Sequence, residues 1–228
     1  PIYSGVISFN TQTDNKVGTV GPALPGAKIR VTPDGEIQYT AGNVFQGYWK
    51  NPEKTAETFT EDGWLRTGDV GMIDNEGFLK ITGRLKDIII TAGGKNITPA
   101  EIENKLKFFS FVKEAVAFGD QRDRVCVMVN IDFDAVGNWA ERQNLPYAGY
   151  TDLSQKAAVY DMIKACVEKV NADLSRDEML AGSQISRFLI LHKELDPDDG
   201  ELTRTNKVRR GFIADKYSAL VDGLYAKS

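Results

Sequence analysis

Histidine and cysteine are scarce in this sequence. Its single histidine, His192, excludes a multi-histidine metal site. It flanks the apolar run Phe188-Leu189-Ile190-Leu191 and reads as a strand-end residue, not a catalytic base. The two cysteines, Cys126 and Cys166, lie in unrelated segments, one in an apolar strand run and one in a helical pattern. They read as reduced core thiols of a cytosolic protein, not as a disulfide or a metal pair. No apolar run is long enough to cross a bilayer, and no signal-peptide pattern opens the chain. An excess of basic charge is missing too. The net charge is −4, so no global basic field favours nucleic acid or an anionic membrane. The expected protein is cytoplasmic, with no nucleic-acid partner and no transmembrane segment; peripheral membrane contact and oligomeric state stay open.

What is present is ordinary globular material. The chain is 42% hydrophobic and 26% charged, enough over 228 residues for one large or two small domains. Residues 1 to about 83 read as short strands with turn punctuation. Pro33-Asp34-Gly35 is a turn signal, and Glu36 to Thr40 alternates like a strand. Asn51-Pro52 opens a short helix to about Phe59, with asparagine as cap and proline first. Met72-Ile73 and Phe78 to Thr82 flank a hairpin turn at Asp74-Asn75-Glu76-Gly77. The second half alternates strands and helices. Strands are expected at Asp87 to Thr91, Val112 to Phe118, Val125 to Ile131 and Arg187 to Leu191. Helices are expected from a capping box at Thr98-Pro99-Ala100-Glu101 to Lys107, over Phe133 to Gln143, over Leu153 to Leu174, and from Val208 to Leu224. The fold class is therefore α+β. No internal repeat or low-complexity segment is present.

Four motifs carry chemistry. Thr67-Gly68-Asp69 reads as a tight turn presenting a carboxylate at a strand end. Such a group can accept hydrogen bonds from both hydroxyls of a ribose. Gly83-Arg84 follows the hairpin and offers a fixed planar cation. Thr91-Ala92-Gly93-Gly94-Lys95-Asn96-Ile97 is a glycine-rich loop read as a strand-to-helix turn; it lacks the Gly-Lys-Ser/Thr ending of a mononucleotide phosphate loop. Leu202-Thr203-Arg204-Thr205-Asn206-Lys207-Val208-Arg209-Arg210 is strongly basic. Alone, each has an ordinary structural reading.

As a set and in this order, these motifs resemble the AMP-forming acyl-CoA synthetases, the adenylate-forming family. The series Gly47-Tyr48-Trp49-Lys50-Asn51-Pro52, Asp62-Gly63-Trp64-Leu65-Arg66 and Thr67-Gly68-Asp69 is part of that resemblance, and the wording TAGGKN looks most like the long-chain fatty acid branch. The resemblance implies that Asp69 holds the ribose of ATP, that Arg84 contacts its ribose and phosphate side, and that Ile81 packs near the nucleotide. It implies a hinge at Lys86, a coenzyme A channel lined by Gly93, Gly94, Lys95 and Asn96, and a catalytic, nucleotide-binding lysine at Lys207. Arg204 stands where the family commonly has proline, so a less rigid loop is expected. The family's phosphate-binding loop and its Thr-Glu pair, whose glutamate helps hold Mg²⁺, are absent and expected upstream; Pro1-Ile2-Tyr3-Ser4 looks like sequence just after that pair. The start at Pro1, without methionine, also suggests a fragment.

The implied architecture is a small β-barrel or sheet remnant of the large N-terminal domain over 1–85, then a mobile, compact α+β C-terminal domain over 86–228. The implied parent joins a fatty acid to coenzyme A at the expense of ATP, through acyl-AMP, with Mg²⁺. The fragment alone is expected to be inactive. A carrier-loading adenylating enzyme and a non-catalytic binding module with the same fold are the competing readings.

Overall fold

The computed structural model describes residues 6–177 and 180–226. The opening Pro1-Ile2-Tyr3-Ser4 lies outside the described residues. Contacts divide the chain into two compact units, Pro1–Ile88 and Ile89–Ser228.

The first unit is built on β1 (Lys28–Val31), β2 (Glu36–Thr40), α1 (Pro52–Thr58), β3 (Leu65–Ile73) and β4 (Leu79–Arg84). The strands form an antiparallel sheet in the order β1-β2-β3-β4. Among the described residues its first and last strands do not pair with each other, as in the sheet remnant expected for this half. Ile37, Tyr39, Leu65, Val70 and Leu79 are buried on it. Asn51 caps α1 by accepting from the Lys54 amide at 3.0 Å, and Pro52 takes the first helical position, where its missing N–H is no loss. Asp74 organises the β3–β4 turn by accepting from the amides of Glu76 and Phe78 at 3.0 and 2.9 Å.

The second unit contains β5 (Ile89–Ile90), β6 (Asn96–Ile97), α2 (Pro99–Lys107), β7 (Val112–Phe118), β8 (Val125–Ile131), α3 (Phe133–Arg142), α4 (Tyr150–Ser154), α5 (Ala157–Arg176), β9 (Ile185–Ile190), α6 (Arg210–Lys216) and α7 (Ser218–Tyr225). Central β8 pairs antiparallel with β7 and parallel with β9. Every β8 residue is buried, because both faces of the sheet are covered. Ala115, Ala117, Val127 and Val129 meet Ile102 and Leu106 of α2 and Val159, Ile163, Val167 and Val170 of α5. Val116, Phe118 and Met128 belong to a second cluster with Leu191, Ile213 and Tyr217. Cys126 and Cys166 are both buried, and burial pushes both thiols above their ordinary range.

Several elements differ from the sequence reading. Thr67-Gly68-Asp69 is not a turn at a strand end. It lies inside the nine-residue β3, where Gly68 takes a φ of 67° and the register with both neighbouring strands shifts. It is a bulge, which a local pattern cannot tell from a turn. The strand expected over Asp87 to Thr91 contracts to Ile89–Ile90, and Asp87 sits in a short 3-10 turn, Leu85–Asp87. The glycine-rich loop closes a hairpin between β5 and β6 and does not open the helix directly. Thr98 stands at the N-cap of α2 without a side-chain capping bond, so the reciprocal box is not formed. The long helix expected over Leu153 to Leu174 is broken between α4 and α5 at Gln155 and Lys156. Leu153 and Val159 are both fully buried; six positions along one helix they would point about 120° apart, and the break turns both inward. The last helix is broken at Tyr217 (φ −107°, ψ 25°), whose hydroxyl bonds to Glu201.

Candidate functional site

In the first unit, β3 and β4 bring two of the expected residues together. Asp69 and Arg84 are register partners across the ladder. Arg84 Nε lies 2.8 Å from Asp69 Oδ1, with the aspartate side chain 13% exposed and the arginine 43% exposed. A half-exposed ion pair of this kind contributes at most about 1 kcal/mol. Its importance is placement: a carboxylate that accepts hydroxyl hydrogen bonds stands beside a planar, permanently charged donor. Ile81, on the same strand as Arg84, is 47% exposed and offers an apolar surface.

The bulge that aims Asp69 has its own supports. The Thr67 hydroxyl donates to the Ile37 carbonyl at 2.5 Å and accepts from the Asp69 amide at 3.0 Å. The Gly68 amide donates to Glu36 Oε1 at 3.3 Å. Glu36 is itself buried, and its other oxygen accepts from Gln38 at 2.9 Å and lies 3.4 Å from Arg66. Gly71 allows β3 and β4 to approach. A Cβ there would lie 2.2 Å from the Lys80 carbonyl oxygen and 2.9 Å from Ile37 Cδ1. The sequence reading singled out neither Glu36 nor Gly71. The only sequence signal for the first was an acidic residue opening the predicted strand Glu36–Thr40, of which the first four residues are buried.

Lys86 lies exposed in the 3-10 turn that ends the first unit. The glycine-rich hairpin belongs to the second. Its turn is closed by Gly94 N–H to the Thr91 carbonyl at 2.8 Å and by Lys95 N–H to the Thr91 hydroxyl at 3.1 Å. Gly94 has a φ of 80°, whereas Gly93 is conformationally ordinary. Gly93, Gly94 and Asn96 are exposed, while the Lys95 ammonium donates to the Ala181 carbonyl. The hairpin rests on the β7–β8 turn: Ala92 N–H donates to the Arg122 carbonyl and Ile90 N–H to Asp120 Oδ1, at 2.8 and 3.0 Å.

Lys207 projects from a tight loop whose ends pair at Leu202 and Val208. Thr203 organises this loop. Its amide donates to the Lys207 carbonyl at 2.8 Å, and its hydroxyl accepts from the Lys207 amide at 3.0 Å. Asn206 takes a left-handed φ of 56°. Lys207 is exposed, and among the described residues its ammonium has no ion-pair partner. Carboxylates that the sequence reading missed secure both ends of the loop. Glu201 precedes it, fully buried among two lysines and a tyrosine. Arg210 follows it and pairs with Glu103 of α2 at 2.7 Å while donating to the Ala117 carbonyl of β7 at 2.7 Å.

The chemical inventory is thus a carboxylate paired with an arginine in one unit, and an exposed hairpin and an exposed ammonium in the other. Among the described residues, no group of three histidine, cysteine, aspartate or glutamate side chains is placed to hold a metal ion. Nor is any helix long and apolar enough to cross a membrane.

Comparison with known proteins gives the family. The family model of the AMP-binding enzyme C-terminal domain matches residues 86–228. A long-chain-fatty-acid–CoA ligase of Mycobacterium tuberculosis, FadD15, is 40% identical over 98% of this chain and 36% of its own length. The ATP-bound crystal structure of MatB from Rhodopseudomonas palustris is 26% identical, with a TM-score of 0.57 over 89% of this chain and 36% of that one. The adenylation domain of a carboxylate reductase from Mycobacterium chelonae shares the fold, at 20% identity and a TM-score of 0.69 over 92% of this chain and 32% of that domain. The chain belongs to the AMP-binding, adenylate-forming enzymes, and it spans about a third of the length of the relatives it matches.

Proposed function

We propose that this chain is the C-terminal portion of an AMP-forming fatty acid–CoA ligase of the cytoplasm. The observation that carries this reading is the 40% identity to a long-chain ligase across 98% of the chain. The enzyme would first join a fatty acid to ATP, releasing pyrophosphate and forming acyl-AMP. Coenzyme A would then attack the acyl carbon through its sulfur, and AMP would leave.

In the first step a carboxylate must approach the α-phosphate, and both are anionic. Lys207 supplies the cation that reduces their repulsion and stabilises the charge of the transition state. A long flexible stem and a presented, unpaired ammonium suit that role. Asp69 grips the ribose, Arg84 the ribose and phosphate side, and Ile81 packs near the nucleotide. Lys86 is the pivot between the poses for the two steps; an exposed residue between compact units can absorb such a backbone change. Gly93, Gly94, Lys95 and Asn96 serve the thiol step. Among the described residues no carboxylate cluster fits a Mg²⁺ site, and we place the metal's ligand in another part of the enzyme. This chain alone does not complete the reaction, because it lacks the phosphate-binding loop.

Acid-dependent AMP release by the full-length enzyme, across a panel of acids with free coenzyme A, tests the reading. AMP formed only with fatty acids, together with their thioesters, is the expected result. No acid-dependent AMP would overturn it. Thioester found only on a pantetheinylated carrier protein would replace coenzyme A as the acceptor.

A further inference from the structure

We propose that Glu201 is a positioning residue for Lys207, holding the base of its loop so that the ammonium is delivered in one place. This rests on the adenylation role given to Lys207 above. Glu201 is 0% exposed. Its Oε1 accepts from Tyr217 Oη at 2.5 Å and from Lys216 Nζ at 2.8 Å, with Lys193 Nζ at 3.2 Å. Its Oε2 accepts from the Asp196 amide at 2.9 Å. Its own carbonyl accepts from the Arg209 amide at 2.9 Å, on the far side of the loop. One carboxylate therefore ties the turn before the loop to the α6–α7 junction after it.

Charge in the cluster is balanced locally. Lys193 also pairs with Asp199, and Lys216 lies 3.6 Å from that carboxylate. Two lysines thus face two acids. Burial pushes the Glu201 carboxyl up, but Lys216, Tyr217, the Asp196 amide and Lys193 together hold it below the usual glutamate range. Burial and the adjoining carboxylate push the Tyr217 hydroxyl up to about 12, so it stays a donor at neutral pH. A buried ionic cluster contributes little net stability compared with apolar packing of the same shape. What it adds is direction: four donors from two segments, 193–196 and 216–217, admit one arrangement of the carboxylate. Lys207, six residues on, makes no ion pair of its own among the described residues, so its placement depends on the loop's base.

The test uses the full-length enzyme and measures the two half-reactions separately. Glu201→Gln keeps the shape and removes the charge. The expected result is a 10- to 100-fold lower kcat for acid-dependent pyrophosphate release, with KM for ATP and acid within about twofold. Thioester formation from supplied acyl-AMP should stay within about twofold. In a Lys207→Ala background, Glu201→Gln should add no further loss to adenylation, because it acts through the missing group. Glu201→Asp should recover part of the activity. Tyr217→Phe, which removes one bond and no charge, should show the same pattern more weakly and serves if Glu201→Gln does not fold. Equal loss in both half-reactions, a fully additive loss in the double variant, or no loss would overturn the proposal. If Lys207→Ala itself leaves adenylation intact, the failure lies in the role given to Lys207.

Discussion

Replacing Gly71 by alanine tests the construction of the β3–β4 ladder that carries Asp69 and Arg84. The new Cβ would sit 2.2 Å from the Lys80 carbonyl oxygen and 3.2 Å from Ile81 Cα. Both are backbone atoms, so no side-chain rotation relieves the overlap and the strands must part. Overpacking of this kind costs about 1–3 kcal/mol, and a backbone clash argues for roughly 2 kcal/mol or more. For a unit of about this size each kcal/mol moves Tm by about 4–8 °C, so a fall of about 8–16 °C is expected. Trp49 and Trp64 belong to the first unit and Trp139 to the second, so tryptophan fluorescence in a Trp139→Phe background follows the first unit's melting. Gly42→Ala is the control: nothing lies within 4 Å of its Cβ position and its φ is not left-handed. It should change stability by no more than about 0.5 kcal/mol. Equal melting temperatures for the two variants would refute the close-approach argument.

The two glycines of the β5–β6 hairpin should separate folding from function. Gly94→Ala forces a side chain to a φ of 80° and should cost about 1–2 kcal/mol in a urea titration. Gly93→Ala meets only the Thr91 hydroxyl, at 4.0 Å, and should leave stability unchanged. If the hairpin lines the coenzyme A channel, Gly93→Ala in the full-length enzyme should slow thioester formation at least tenfold and spare acyl-AMP formation. Asp62 should make stability depend on pH in the acid range. Hydrogen bonds from Arg30 and then Thr60 hold its carboxyl at about 2, below the usual 3.8. A lowered folded pKa means the contribution is full above about pH 4 and is lost as pH falls toward 2. Melting curves of the wild type and Asp62→Asn at pH 6 and pH 2 should therefore converge at the lower pH; a constant gap would contradict the assignment.

Much of this architecture was legible because its signals are local. Val112–Phe118 and Val125–Ile131 are apolar runs bounded by polar turns, and the strands have those bounds. Asn51-Pro52 is a self-contained helix start. The features that escaped depend on a distant partner. Gly68 reads as a turn until the strands on both sides of β3 show a bulge. Thr91 to Ile97 reads as a strand-to-helix turn until Ile89 is found opposite Ile97. The breaks at Gln155 and Tyr217 are imposed by what must be buried on either side or held by Glu201. Glu36 and Glu201 drew no reading as functional carboxylates, because burial of a carboxylate is decided by its neighbours. Asp69 and Arg84 were picked out as separate residues on a family resemblance, and their partnership across the ladder is a product of register.

The most direct measurement compares both half-reactions of the full-length enzyme with and without the Lys207 ammonium. Lys207→Ala should lower acyl-AMP formation by roughly two to three orders of magnitude, the scale of one lost electrostatic group. Its rate of thioester formation from supplied acyl-AMP should stay close to that of the unaltered enzyme. Equal losses in the two steps, or none in the first, would contradict the account.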